Sequence, residues 1–163
     1  MPVTRILDAW QIDRETKMTN LINVSGTCHC EKIALTGAVE PHMVVACHCK
    51  DCQVFGGGPF RNNVMLKSEN ISIRGDVSNY NKIGGSGAVR TQGFCGNCGT
   101  HIYAVDAGRT LYSVRAGFLD QHSSLAPVKY IFGKSAVKWL SNMSQVPWFA
   151  EGPNSKKISS NSF

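Results

Sequence analysis

The chain has 163 residues, of which 42% are hydrophobic and 17% charged, and a formal net charge of +6. That length suits one domain with a core of its own, and no apolar run is long enough to span a bilayer. The first residues lack the apolar stretch of a secretory signal, so the expected localisation is cytoplasmic, where thiols stay reduced.

The basic balance is not a nucleic-acid footprint. Lys and Arg are scattered, and the dense pair is Lys156-Lys157 near the C-terminus. Seven metal-bound thiolates and two zinc ions would bring the net charge to roughly +3. The remainder is read as a solvated surface with a weak preference for anionic substrates. Neither nucleic acid nor membrane is an expected partner; homo-oligomerisation is left open.

Along the chain, residues 1–20 form an N-terminal extension in which Ile6, Leu7 and Trp10 fall at helical spacing, predicting a short amphipathic helix. Met18 is an alternative start. From Leu21 to about Tyr130 the texture is β. Candidate strands are Leu21–Ser25, Lys32–Thr36, Met43–Cys47, Arg61–Leu66, Ile71–Arg74, Val89–Phe94, His101–Val105 and Leu111–Arg115. They are short, rich in Val, Ile, Phe and Tyr, and bounded by Gly, Asn, Asp and Ser. A helix is expected near Ser135–Leu140. Residues 21–141 read as one metal-binding domain and 142–163 as a C-terminal tail, flexible by composition from 151 onward.

All seven cysteines fall in three groups: Cys28-x-Cys30, Cys47-x-Cys49-x-x-Cys52 and Cys95-x-x-Cys98-Gly99. Such spacing is a metal-ligand pattern, and an odd count disfavours the alternative of a secreted disulfide framework. Four thiolates close a tetrahedral zinc, whereas three leave a position for water or substrate. In a strand, residues two apart share a face, so Cys28 and Cys30 can approach one metal, with Gly26 giving the strand freedom to bend. Cys95 to Gly99 reads as a zinc knuckle. Paired with Cys28 and Cys30 it makes a four-sulfur clamp between distant parts of the chain.

Cys47, Cys49 and Cys52 can wrap a second metal from one loop. A distant His or Asp could complete that site as structural; otherwise its fourth position is open. His48 alternates with two of these cysteines, so in extended backbone it points away from them. The run Gly56-Gly57-Gly58-Pro59, with Phe60 after it, reads either as backbone approaching a ligand on the metal or as a plain turn. Gly84-Gly85-Ser86-Gly87 reads as a hairpin tip or lid. No Ser-His-Asp pattern or carboxylate pair is present, so in any catalysis the metal is the electrophile. Proton transfer would fall to His48, His101 or Asp120.

Gly26-Thr-Cys-His-Cys30, Cys47-His-Cys-Lys-Asp-Cys52 and Phe94-Cys-Gly-Asn-Cys-Gly-Thr100 resemble the glutathione-dependent formaldehyde-activating enzyme family. Ala116-Gly-Phe-Leu-Asp120, Pro127 and Trp139 extend the likeness, which covers about residues 21–141. The resemblance implies an all-β, β-tent fold, Rab exchange-factor-like, of short antiparallel strands with one or two short helices. It implies two zinc ions per chain: a structural one on Cys28, Cys30, Cys95 and Cys98, and a catalytic-type one on Cys47, Cys49 and Cys52. The family's named reaction joins glutathione and formaldehyde to S-hydroxymethylglutathione, a carbon–sulfur lyase in reverse.

The expectation is therefore a zinc-dependent lyase-type enzyme acting on a thiol adduct, such as one of glutathione, or on a small carbonyl compound. The open zinc would bind a substrate thiolate or polarise a carbonyl, and amides of Gly56–Gly58 would orient an oxyanion. The alternative is a non-enzymatic binding module, which would have a closed second metal and an exposed apolar patch.

Overall fold

The computed structural model describes residues 21–85 and 87–160. The helix expected around Ile6, Leu7 and Trp10, the alternative start at Met18, and Ser86 in the glycine-rich tip lie outside the described residues.

Twelve strands occur among the described residues, and in the first and fifth of them apolar and polar side chains alternate. They are β1 (Ile22–Thr27), β2 (Ala34–Val39), β3 (Val44–Cys47), β4 (Arg61–Lys67), β5 (Ile71–Arg74), β6 (Val77–Ile83), β7 (Val89–Cys95), β8 (His101–Asp106), β9 (Leu111–Arg115), β10 (Lys129–Ile131), β11 (Trp148–Phe149) and β12 (Lys157–Ile158). All eight expected strands are present, with ends shifted by at most three residues. The fold is all-β, as the resemblance implies.

Four strands and one helix were not expected. β6 is largely polar and lies at a sheet edge, where β7 is its one partner, so it needs little apolar surface. β10 is three residues long, pairs parallel with β3, and is too short to show a period. β11 and β12 form a two-residue ladder within the C-terminal tail, and β12 lies in the stretch from 151 onward whose composition suggests flexibility. The helix, α1 (Lys50–Gly56), starts from Cys49, whose sulfur accepts from the Cys52 amide at 3.4 Å. A metal-ligand reading of these cysteines hides the capping role that one of them also has. Where one helix was expected near Ser135–Leu140, two 3-10 segments occur, Gly133–Ser135 and Lys138–Gln145, divided by extended Ala136 and Val137.

Two sheets enclose the core. The small one runs β1-β2-β5; the large one runs β10-β3-β4-β9-β8-β7-β6, antiparallel throughout except at β10. Val24, Leu35 and Val39 from the small sheet join Val44, Val64, Leu66, Val105 and Val114 from the large one in a single apolar cluster. Burial of such side chains, roughly 1.5–3 kcal/mol each, contributes to stability alongside any bound metal. Gly26 serves close packing rather than bending, because a Cβ there would collide with the Phe118 carbonyl oxygen.

Strand alternation decides what the other face of the large sheet carries. On β4, Val64 and Leu66 enter the core while Arg61, Asn63 and Met65 point to the opposite side. On β9, Val114 is in the core and Leu111 and Ser113 are on that same opposite side. The site is built on this second face.

Candidate metal centres and the adjoining cavities

Three hydrogen bonds shape the first cysteine cluster. The Ile33 amide donates to Cys28 Sγ at 3.3 Å, while the Cys28 and Ile33 main chains are joined at 2.9 Å. Across the domain, the Gly99 amide donates to the Cys95 carbonyl at 2.8 Å. Gly99 has φ of 73°, the left-handed conformation that closes the knuckle. The sulfurs of Cys28, Cys30, Cys95 and Cys98 then lie within 4.8 Å of one another. Cys28–Cys30 and Cys30–Cys95 are 3.6 and 3.7 Å apart. Four sulfurs bonded to one tetrahedral zinc stand about 3.8 Å apart, so these residues fit the ion. The Thr100 hydroxyl, followed by the Thr100 backbone, draws the Cys98 thiol down to about 5, readying it as a thiolate ligand.

The second cluster comes from one β-turn-α unit. Cys47 ends β3, Cys49 caps α1, and Cys52 lies in the first turn of α1. The three sulfurs fall within 4.8 Å of one another, with Cys47 and Cys49 3.5 Å apart. Among the described residues, no fourth His, Cys, Asp or Glu atom joins the group. Cys47 is lowered to about 6, chiefly by its bond with Cys52, while Cys52 is raised by that same bond and then by burial. Packed sulfurs share protons unequally because close thiolates repel. A cation placed among them would release those protons, so this donor set also fits a metal.

Register supplies the rest of the site. Cys47 stands opposite Arg61 across β3 and β4, and Asn63 opposite Arg115 across β4 and β9. Asn63 Oδ1 accepts from Arg61 Nε at 2.7 Å, Ser113 Oγ at 2.9 Å and Arg115 at 3.4 Å. Arg115 also donates to Gln92 Oε1 at 2.8 Å and to the Ser113 carbonyl at 3.2 Å. It is only 6% exposed. Burial first, and the Arg61 charge second, bring its guanidinium down to about 9.

Two cavities adjoin this wall. The first, about 260 Å³, is lined by Cys47, Cys49 and Cys52, by Arg61 and Asn63, and by apolar Met65 and Leu111 among others. Lys82 and Asp51, an ion pair, stand at its margin. The second, about 290 Å³, is lined by Phe55, Phe60, Arg61, His101, Arg115 and Phe118 among others. Arg61 is common to both.

The other expected site residues are dispersed. His101 lines the second cavity, its ring between Phe55 and Phe94 at centroid distances of 5.8 Å. Burial, then the charges of Arg115 and Arg61, push its pKa down. Gly56 and Phe60 line the same cavity. Gly57 and Gly58 line neither: Gly57, with φ of 62°, is the left-handed cap of α1, and its amide donates to the Gln53 carbonyl. His48 also lines neither cavity; its buried ring packs on Phe60 and Tyr130 at 5.2 and 5.8 Å. Asp120 is likewise outside both, and its carboxylate accepts from the Ser25 hydroxyl at 2.7 Å. The residues that sequence reasoning missed are Arg61, Asn63, Gln92 and Arg115. No local signal marks them: β4 opens Arg61-Asn62-Asn63, β7 carries Arg90 and Thr91 beside Gln92, and only strand pairing brings the four together.

Among the described residues, no helix is long and apolar enough to cross a membrane. An all-β domain with one four-cysteine and one three-cysteine cluster, each able to hold a metal ion, is the class of protein that fold and site define. The chain belongs to the glutathione-dependent formaldehyde-activating enzyme family, whose model it matches over residues 23–135. Among solved structures, the crystal structure of a Rhodobacter sphaeroides protein from a structural genomics programme is similar in fold. It has a TM-score of 0.52 and 19% identity, over 65% of this chain and 98% of that one. No curated protein matches the chain.

Proposed function

We propose that this protein is a zinc-dependent enzyme of the carbon–sulfur lyase type, acting on a thiol adduct or a small carbonyl compound. S-hydroxymethylglutathione formation is the reaction the family points to. One observation carries the reading: three cysteine sulfurs converge on a cavity wall with no fourth protein ligand among the described residues. In this reading Cys28, Cys30, Cys95 and Cys98 hold a structural zinc, and Cys47, Cys49 and Cys52 hold the zinc of the reaction centre. Residues 21–141 form the functional domain, acting in the cytoplasm.

When bound there, zinc supplies a cationic centre that favours a thiolate or polarises a carbonyl oxygen. The chain's own residues do the remainder. Cys47, Cys49 and Cys52 limit that polarising power, because three thiolates over-neutralise a divalent ion; this favours thiol chemistry over hydrolysis. Arg61 faces their charge from the opposite strand. Val45, Met65, Leu111 and Ile131 make much of the first cavity apolar. His101 is our choice for proton transfer, since it lines a cavity and its surroundings favour the neutral ring. His48 and Asp120 are given no part.

The test is to screen thiol–aldehyde adducts, glutathione-based and otherwise, with wild type and Cys49→Ser side by side. A serine can still cap α1, so the fold should survive, while turnover disappears. Equal activity in the two proteins would remove this cluster from the chemistry.

A further inference from the structure

The metal centres leave one buried charge unexplained. Arg115 ends β9, and it lines the second cavity and not the cysteine-lined one. No opposite charge stands beside it. Among the described residues, the ion pairs join Glu40 to His42 and Lys67, and Asp51 to Lys82. The acceptors that Arg115 meets are neutral: the side-chain oxygens of Asn63 and Gln92 and the Ser113 carbonyl. Arg61, by contrast, stands opposite Cys47 and feels the attraction of all three sulfurs of its cluster. For Arg115, the repulsion of Arg61 outweighs the attraction of Cys52. A buried charge left in this way is costly, and a ligand of opposite sign offsets that cost.

Hydrogen bonding on the same wall is also incomplete. Among the described residues, four buried side-chain polar atoms have no partner, and three belong to residues that line this cavity: Arg115 Nε, His101 Nδ1 and Asn62 Oδ1. Native chains carry few such atoms, so three on one wall mark a place where a ligand completes the bonding. Arg115 Nη2 has a single acceptor, Gln92 Oε1, for its two N–H groups. Nε and Nη2 therefore each keep one N–H to give, the pair of donors that a carboxylate takes. The rest of the wall is largely aromatic. Phe55, Phe60 and Phe118 line it with His101, whose ring lies 5.8 Å from that of Phe55. Such a wall offers ring faces and edges to another ring. A cavity of roughly 150 Å³ admits one benzene, so the 290 Å³ here has room for one ring and its carboxylate.

We propose that the second cavity is a binding site for a small aromatic carboxylate. The carboxylate sits on Arg115, with Arg61 beside it on the same wall, and the ring lies among Phe55, Phe60 and Phe118. This site goes beyond the thiol chemistry proposed above and does not depend on it. Its ligand needs no sulfur, and no cysteine lines the cavity. Arg115 is a binding residue here, and no covalent bond is made or broken.

The experiment measures dissociation constants of benzoate, benzamide and acetate for the zinc-loaded protein, by calorimetry. Benzamide keeps the ring and loses the charge; acetate keeps the charge and loses the ring. Wild type should bind benzoate about tenfold or more tightly than either, the range of a charge-assisted hydrogen bond or a buried ring. In Arg115→Gln the preference for benzoate over benzamide should fall to near unity. In Phe55→Leu the preference for benzoate over acetate should fall several-fold. Nuclear Overhauser contacts from the benzoate ring to Phe55 and Phe60 in wild type test the same seat without a variant, should Arg115→Gln fail to fold. The proposal is overturned if wild type fails to bind benzoate, binds it no better than benzamide, or if Arg115→Gln keeps the preference. Contacts to Met65 and Leu111 instead would place the acid in the cysteine-lined cavity and overturn it too. So would displacement of benzoate by saturating glutathione, which would make the two cavities one site. Each of these outcomes leaves the thiol chemistry to its own test with Cys49→Ser.

Discussion

The two cysteine clusters use one kind of side chain at similar local spacing, yet they are built into the chain in opposite ways. The four-cysteine cluster joins Cys30 to Cys95, sixty-five positions apart, and so ties the β1–β2 corner to the β7–β8 turn. The three-cysteine cluster is complete within six residues and closes no long loop. Its neighbours differ as well: Thr100 and main-chain amides around the first, a part-buried arginine and an open cavity beside the second. A metal that cross-links distant segments contributes folding free energy, because its site does not exist in the unfolded chain. A metal held by a local loop contributes less to stability and is free to serve a ligand. Position in the topology therefore separates the roles of two centres that composition alone would treat alike.

The hardest test of that contrast is Cys98→Ser. Removing one of four sulfurs should strip the cross-link and cost several kcal/mol, a large part of a domain's net stability. The expected product is insoluble, or soluble with a broad transition at much lower temperature by circular dichroism. A variant with the wild-type melting curve and two bound zinc ions would collapse the distinction between the clusters.

Metal removal makes the same contrast gentler. Graded chelation at neutral pH should first release about one zinc per chain with far-ultraviolet dichroism unchanged, because the three-cysteine site is open to competing ligands. Stronger chelation should release the second and unfold the domain. Loss of both ions in one step with structure retained would count against the assignment of roles, since each ion would then be equally dispensable.

How much of this was legible in the sequence follows from the range of each interaction. A strand with a clear apolar period, such as Ile71–Arg74, was readable because burial on one face imposes the period. The cysteine groups were readable because metal ligands must lie close together in local turns. β6 escaped because an edge strand with Asn79, Tyr80, Asn81 and Lys82 at its centre follows no burial pattern. α1 escaped because its cap is a cysteine already assigned to another task. The Arg61–Asn63–Arg115 wall escaped for a different reason. It exists only through the register of β4 with β9, which no local window contains.

The smallest expected effect concerns two glycines that hold equivalent places at the two clusters. Gly57 (φ 62°) ends α1 behind the three cysteines, and Gly99 (φ 73°) closes the turn after Cys98. A Cβ at either meets no atom within 4 Å, so an alanine is opposed by left-handed backbone strain and not by collision. That strain is about 1 kcal/mol in both cases. The consequences should still differ. At Gly57, five residues beyond the nearest ligand position, Cys52, the chain can relax by fraying the last turn of α1 while the Cys49 cap holds the first. Gly57→Ala should therefore lower the denaturant midpoint slightly and leave the zinc content unchanged. At Gly99 the strained residue carries the amide bonded to Cys95, so relaxation there moves a ligand of the cross-link. Gly99→Ala should show the same strain plus a weaker grip on the structural zinc, read as earlier release during graded chelation. If Gly57→Ala loosened its metal as much as Gly99→Ala does, the geometry of α1 would be as necessary to its centre as the knuckle is to the other, and the contrast would have to rest on the cavity alone.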